Sequence, residues 1–418
     1  MSQSDRVIII GGGMIGLLTA RELLQRGRDV LVLDAGSGEG SASSGNAGII
    51  APGHFPIANP RQRSRAMKLL LDPESPLYIP PRFNIPMIRW LLGFRKACLP
   101  RNYGHAVEVL NRMSNVSRDG WQELMDIDAT PEMLAALHPA GSIEVFCEQE
   151  TGDAASRDAD TLRRDGFETE LIDGDELRRR DPAYSDEVLG ALVHPGHIIT
   201  QPDQLLRAIE DDIVDRGAVV RHGCTVQRML ADRHACHGVI VEDDRMIEGG
   251  TIVIAAGIWS DGIARDHGIR VPMQPAKGYH VMLDVDEPPT IACVCRESMV
   301  AVNSMPGGVR LAGTLELSGI NNRMVRRRLD LLQQGASRCI RGIEDAPVLE
   351  QWTGMRPCTA DGLPVIGPMP EMAGTWIATG HGMMGITLGP VTATLLAQMI
   401  HDEQTVMDTV PMSADRFN

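Results

Sequence analysis

The sequence lacks most of the features that mark a membrane-spanning, secreted or nucleic-acid-binding protein. No apolar run approaches the ~20 residues that a helix needs to cross a bilayer. The first apolar run is short, follows Asp5 and Arg6, and leads into glycines rather than a cleavage site, so no secretion signal is expected. The eight cysteines are scattered, with no CxxC pair, which argues against a disulfide framework or a zinc ribbon. His222, Cys224, His234, Cys236 and His237 are crowded, but their irregular spacing offers no tetrahedral set, and no metal is expected. Basic residues are in deficit, 40 against 55 acidic, for a net charge of −15. A phosphate backbone needs a basic surface, so nucleic acid is not an expected partner. Repeats and low-complexity tracts are also missing. A cytoplasmic, reduced protein is the resulting expectation.

What is present is an ordinary globular composition, 43% apolar and 23% charged. At 418 residues the chain exceeds one normal core, and two domains follow as the prior. Its clearest signal is at the start. Residues 7–10 form an unbroken β-branched run, as a strand buried on both faces requires. Gly11, Gly12, Gly13, Met14, Ile15 and Gly16 then fit G-x-G-x-x-G, and residues 17–25 have helical composition before Gly27. Residues 30–33 supply a second strand, closed by Asp34 and Ala35.

Each part has a physical task. Gly11 permits a tight turn, Gly13 lets the backbone approach a pyrophosphate, and Gly16 lets helix and strand pack closely. The helix start at Met14 and Ile15 offers unpaired N–H groups to phosphates. Asp34 lies roughly 20 residues beyond the glycines, where a carboxylate accepts hydrogen bonds from ribose hydroxyls. The combination predicts a dinucleotide site.

Three later segments suit a large planar ligand. Ser43, Ser44, Gly45, Asn46, Ala47 and Gly48 form a small-residue loop that runs into apolar Ile49 and Ile50. A buried strand ends in Ala255-Ala256-Gly257, with Trp259 just beyond, and Val226 begins a candidate strand before it. Near the C-terminus Gly380, His381, Gly382, Met383, Gly385 and Thr387 precede a helix from about Gly389, whose N-terminus can stabilise negative charge.

With these segments, Lys277-Gly278-Tyr279, Arg310-Leu311-Ala312-Gly313-Thr314, Gly354-Met355-Arg356-Pro357 and Asp361-Gly362-Leu363-Pro364-Val365-Ile366-Gly367-Pro368 complete a pattern running through nearly the whole chain. The chain resembles the D-amino acid oxidase/glycine oxidase superfamily of FAD enzymes, most nearly the bacterial D-amino acid dehydrogenases, D-proline and D-hydroxyproline dehydrogenase-like members included. That resemblance implies an α/β (α+β overall) fold, with a Rossmann-type FAD-binding domain and an inserted antiparallel-sheet substrate domain. Residues 1–74, 186–270 and 348–418 would bind FAD, and 75–185 and 271–347 would form the substrate domain; the charge- and proline-rich composition of 75–185 agrees. Within this layout 107–126 and 201–216 read as helices. The stretches 219–221, 226–229 and 239–242 read as a three-stranded meander.

The implied chemistry is hydride transfer from the α-carbon of a D-amino acid or cyclic imino acid to non-covalent FAD, giving an imine. A quinone or other respiratory-chain component would accept the electrons. A glycine/sarcosine-type oxidase using oxygen, or the flavin subunit of a multi-protein dehydrogenase, are the alternatives. Arg356 is the expected carboxylate ligand, since a guanidinium holds both oxygens at once; the alternative is a structural pair with Asp361. Tyr279, one of only four tyrosines, is a candidate pocket phenol or a core residue. His381 is a candidate for tuning the flavin or touching substrate, and Lys277 for reaching the flavin through water. Cys358 is not expected to attach the flavin, and Cys293 and Cys295 read as packing residues. Residues 85–96 combine Trp, Phe and aliphatics with Arg and Lys. They read as an inserted helix packing on the substrate domain, or as an interfacial element touching the inner face of the cytoplasmic membrane.

Overall fold

The computed structural model describes residues 6–36, 41–60, 72–80, 84–232, 235–265, 267–370 and 372–417. The N-terminal run forms the strand Arg6–Ile10 in a six-stranded sheet. The spatial order is Val219–Arg221, Asp29–Leu33, Arg6–Ile10, Thr251–Ile254, Thr375–Thr379, Val365–Pro368, all neighbours parallel except the last pair. Continuous β-branched sequence is what a sheet covered on both faces demands, and the alternation of side chains shows both covers. Val7, Ile9, Val30, Val32 and Val253 pack on one side with the helices Met14–Gln25, Pro202–Asp215 and Gly389–Ile400. Ile8, Ile10, Leu31, Leu33, Ile252 and Ile254 pack on the other with an antiparallel meander.

The meander differs from the sequence expectation. Its strands are Val226–Ala231, Cys236–Val241 and Met246–Glu248. Val219–Arg221 instead extends the parallel sheet beside Asp29–Leu33, and Glu242 starts a 3₁₀ turn. The short run 219–221 carries too little pattern to distinguish a parallel edge strand from a hairpin arm.

The other large sheet is nine-stranded and mixed. Its spine is Met273–Leu283, buried along its whole length, flanked by Gly308–Glu316 on one side and Val348–Thr359 on the other, both antiparallel. Gly190–His194 and Ser142–Phe146 also belong to this sheet. The helix Arg326–Ser337 covers one face, where Leu329, Leu332 and Ala336 meet Tyr279, Val281 and Leu283. The helix Ile85–Ala97 lies across another part of the sheet, with Met87, Trp90, Phe94 and Ala97 buried at helical spacing among Ala276, Leu317 and Cys358. The helix expected over 107–126 runs Pro100–Glu123, its proline placed in the first turn, where a missing N–H costs nothing.

Candidate active site

The glycine turn is fixed by contacts that exclude any side chain. Gly11 holds φ of 112°, and a Cβ there would sit 2.5 Å from the Ala255 carbonyl oxygen. A Cβ on Gly16 would drive into the carbonyl oxygen of Gly11. A Cβ on Gly13 would meet only Ser43 Oγ, at 3.3 Å, and otherwise open space. The backbone at Gly13 therefore faces room of the kind a diphosphate needs. Ser43 accepts the Met14 N–H at 3.1 Å, so the small-residue loop caps the start of the helix. Asp34 accepts the Gly12 N–H at 2.6 Å and the Gly36 N–H at 2.8 Å, which aims its carboxylate along the turn. Ala35 follows it at the surface, and the Cys224 N–H, donated to the Asp34 carbonyl at 2.8 Å, brings the strand of Val226 alongside.

The loop at 43–48 is held from the nine-stranded sheet. Arg310 Nη1 donates to the carbonyls of Ser44 (3.3 Å) and Asn46 (2.9 Å). Asn303 Nδ2 donates to those of Ala47 and Gly48, both at 3.1 Å. His280 Nδ1 donates to the Gly45 carbonyl at 3.1 Å while stacking on Trp352, against which Gly45 itself lies. Beyond the loop, Thr387 Oγ1 accepts the Ala51 N–H at 3.0 Å, and Thr379 Oγ1 donates to the Gly257 carbonyl at 2.7 Å. The small-residue loop, the Ala-Ala-Gly strand end and the C-terminal glycine segment are thus drawn together. Ala256 lies beside this junction, while Trp259 is 55% exposed. Sequence reasoning missed His280, Asn303 and Trp352, because isolated polar residues or tryptophans in strands carry no motif.

Next to this junction is a small cavity of about 50 Å³ with mainly apolar walls. Gly380, His381, Gly382, Met383 and Met384 form one wall, and Ala276, Cys358, Leu315 and Leu317 of the nine-stranded sheet another. Trp90 and Phe94 of the helix Ile85–Ala97 close it, with the Trp90 indole N–H donating to the Cys358 carbonyl at 2.9 Å. His54, also unsuspected from sequence, reaches into the same space.

Arg356 does not line this cavity itself, but strand register puts it on the same sheet face as two residues that do. Ala276, Gly278 and His280 pair with Arg356, Gly354 and Trp352. Side chains alternate along a strand, so these residues share one face with cavity-lining Ala276 and Cys358. Arg356 folds its guanidinium over Gly278, where a Cβ would occupy the same space, and Nη1 donates to the Thr314 carbonyl at 3.1 Å. Among the described residues no carboxylate pairs with it. Asp361 is taken by Arg416 at 2.9 Å instead. Burial pulls the Arg356 guanidinium below its ordinary range, and the Cys358 thiol is pushed up to about 12 by burial, against the opposing pull of Arg356.

Tyr279 and Lys277 lie on the opposite face. The Tyr279 hydroxyl donates to Glu316 Oε2 at 2.8 Å inside the core, and burial followed by that carboxylate raises its pKa. Lys277 Nζ is satisfied by Asn321 Oδ1 (2.9 Å), the Arg323 carbonyl (3.0 Å) and Glu316 (3.2 Å). His381 does reach the cavity wall. Its Nε2–H donates to Thr392 Oγ1 at 2.9 Å, because the Thr392 proton is committed to the Leu388 carbonyl at 2.8 Å. Burial lowers the His381 pKa to about 3, so the ring is neutral at physiological pH.

The segment from residue 6 to residue 399 matches the DAO family, described as FAD dependent oxidoreductase. The chain belongs to this family. Among curated relatives it is similar to a D-amino acid dehydrogenase of Cereibacter sphaeroides, 28% identical over 420 residues, covering 99% of this chain and 95% of that protein. One from Sinorhizobium medicae is likewise 28% identical, over 99% and 100% of the two chains. Glycine oxidase from Bacillus cereus shares the fold with a TM-score of 0.76 at 19% identity, covering 96% of both chains. L-proline dehydrogenase from P. horikoshii does so with a TM-score of 0.75 at 18% identity, over 100% of this chain and 98% of that one. The residues of this FAD-dependent oxidoreductase fit its cofactor: an open backbone at Gly13, a carboxylate at Asp34, and a loop without bulky side chains at 43–48. Among the described residues no cluster of three or more His, Cys, Asp or Glu is arranged to hold a metal. His222 pairs with Glu210 and His237 with Asp232, while His234 lies outside the described residues.

Proposed function

We propose that this enzyme is a dehydrogenase of D-amino acids or cyclic imino acids, converting the substrate to its imine with non-covalently bound FAD. The observation that carries the reading is Arg356, a half-buried guanidinium on the sheet face of cavity-lining Ala276 and Cys358, with no carboxylate partner among the described residues. A cation held there without an anion is costly unless a ligand supplies one, and a substrate carboxylate does. Relatives across the full chain are named for D-amino acid dehydrogenation, which supports the substrate class and handedness. Apolar walls at Phe55, Trp90, Phe94, Leu315 and Leu317 suit an aliphatic side chain or a pyrrolidine ring better than a charged group.

FAD, when bound, supplies the hydride acceptor. The chain's own residues orient and enclose. Arg356 fixes the carboxylate with the N–H groups not committed to Thr314. Trp90 and Phe94 exclude water. Neutral His381, its Nε2–H tied to Thr392, adds no charge to the wall. Gly11, Gly13, Met14, Ile15, Gly16, Asp34 and the 43–48 loop hold the cofactor in this reading, and Gly380, Gly382, Met383, Gly385 and Thr387 its flavin end.

The acceptor in this reading is a membrane quinone or another respiratory component. Its support is the outer face of the helix Ile85–Ala97, where Ile85, Ile88 and Leu92 are exposed beside Arg89, Arg95 and Lys96. Among the described residues no helix is long and apolar enough to cross a membrane. Anaerobic bleaching of the flavin by D-amino acids, D-proline, D-hydroxyproline, glycine and sarcosine, each beside its L-isomer where one exists, tests the proposal. Bleaching by one D-isomer alone supports it, and slow return of colour in air marks a dehydrogenase. A yellow protein that no amino acid bleaches refutes the substrate class.

A further inference from the structure

Four of the eight cysteines converge at the nine-stranded sheet, away from the flavin site. Cys147 follows the strand Ser142–Phe146, and Cys339 follows the helix Arg326–Ser337. Their sulfurs are 3.7 Å apart although 192 residues separate them in sequence. Cys295 lies behind Cys339, and Cys293 behind Cys295, each thiol hydrogen-bonded to the next. Of the four only Cys147 is half-exposed; the others are buried. Nothing in the proposed oxidation uses any of them.

We propose that Cys147 and Cys339 are an oxidisable dithiol that a hydroperoxide converts to a disulfide. The backbone already holds the pair. The Cys147 N–H donates to Glu297 Oε1 at 2.9 Å, and the Cys339 carbonyl accepts the Ser185 N–H at 2.8 Å. The sulfurs must close by somewhat less than about 2 Å to reach a bonded separation, which side-chain torsion can supply. The Cys147 sulfur is the one a small oxidant can reach. The charge balance favours thiolate on Cys339: hydrogen bonds from Cys147 first, then Cys295, lower its pKa against the effect of burial, and Arg338 adds to this. The same contact with Cys339 raises that of Cys147, so the two thiols share a proton unequally.

The chemistry balances with the hydroperoxide as sole oxidant. The proton shared by the pair passes to Cys339, so Cys147 attacks the O–O bond as the thiolate; an S–O bond forms, the O–O bond breaks, and the leaving oxygen takes the proton from Cys339 to depart as water or an alcohol. Cys339 thiolate then attacks the sulfenic sulfur; the S–S bond forms, the S–O bond breaks, and the departing hydroxide takes up a proton. Two thiols lose two electrons and two protons, and the hydroperoxide gains them. The product ties an inner strand of the nine-stranded sheet to the helix that packs beneath Tyr279.

The test uses the full-length holoenzyme, purified with reductant and then desalted. A molar excess of hydrogen peroxide is added, the remaining thiols are alkylated, and non-reduced peptides are mapped by mass spectrometry. Two of the eight thiols should disappear as a Cys147–Cys339 crosslink, and dithiothreitol should restore both. Cys147→Ser, a change at a half-exposed position, should keep its flavin spectrum and show no disulfide after the same treatment. Retention of all eight alkylatable thiols in the wild type would overturn the proposal, as would a Cys295–Cys339 crosslink formed in place of the expected one.

Discussion

A single methyl group on Gly278 tests the role of Arg356 without touching its charge. The guanidinium lies over Gly278 so closely that a Cβ would share its volume, and it cannot stay there in Gly278→Ala. The backbone need not change, because Gly278 does not use a positive φ and its carbonyl is fixed by Thr353 Oγ1 at 2.9 Å. The displaced arginine loses its bond to the Thr314 carbonyl and, if it holds the substrate carboxylate as proposed, its aim at that group. A hydrogen bond involving a charged group contributes about 1.5–3 kcal/mol. Loss of one such bond therefore weakens substrate binding roughly 10- to 150-fold. Rapid-mixing reduction of the flavin under anaerobic conditions separates the substrate dissociation constant from the limiting rate, and the increase should fall mainly on the former. In an Arg356→Ala background the same methyl finds empty space, so Gly278→Ala should add almost nothing there. Wild-type substrate affinity in the single variant, with flavin bound, would refute the placement of Arg356 as carboxylate ligand.

Gly16→Ala should yield colourless protein, since its Cβ meets the Gly11 carbonyl oxygen; a normal flavin spectrum would contradict the nucleotide-site assignment. Tyr279→Phe should lower stability by about 1.5–3 kcal/mol, the worth of one hydrogen bond to a charged group, and leave substrate affinity unchanged, because its hydroxyl serves Glu316; a weakened affinity by flavin titration would place it in the pocket after all. Acid should destabilise the protein early. His381 and His197 are held near a pKa of about 3 by burial, His194 adding to the effect at His197, against an ordinary value of 6.5. The unfolded chain thus binds protons that the native state refuses, and stability, complete above pH 6.5, falls between there and about 3. Each histidine contributes about 1.4 kcal/mol per pH unit. Urea midpoints at pH 7.5 and 5.5 check this, and equal midpoints would show that the rings are not buried neutral.

The nucleotide half was legible because its constraints are backbone constraints. Gly11 and Gly16 are required by contacts within a few residues or one strand away, and such requirements leave a spacing that can be read. The Ala255-Ala256-Gly257 and Gly380–Gly382 segments were legible for the same reason. Tyr279 and Lys277 were less so. Whether a strand residue faces a cavity or a core depends on what covers each face, and the helix Arg326–Ser337, which covers theirs, lies far along the chain. Arg356 was singled out by its family segment, but its freedom from Asp361 rests on Arg416, 55 residues beyond that aspartate. His54 had no flanking pattern to single it out; only the folded chain puts it in the cavity. The edge strand Val219–Arg221 was misplaced because three residues satisfy either pairing equally until Asp29–Leu33 is beside them.

Five hydrogen bonds from Arg310, Asn303 and His280 fasten the 43–48 loop of the nucleotide half to the sheet of the other. A hinge between the two halves would have to break them together, exposing a buried guanidinium and several carbonyls for each turnover. The machine is therefore not a clamshell. The wall that remains between the cavity and the outside is the helix Ile85–Ala97, which lines the cavity with Trp90 and Phe94 and exposes Ile85, Ile88 and Leu92 on its outer surface.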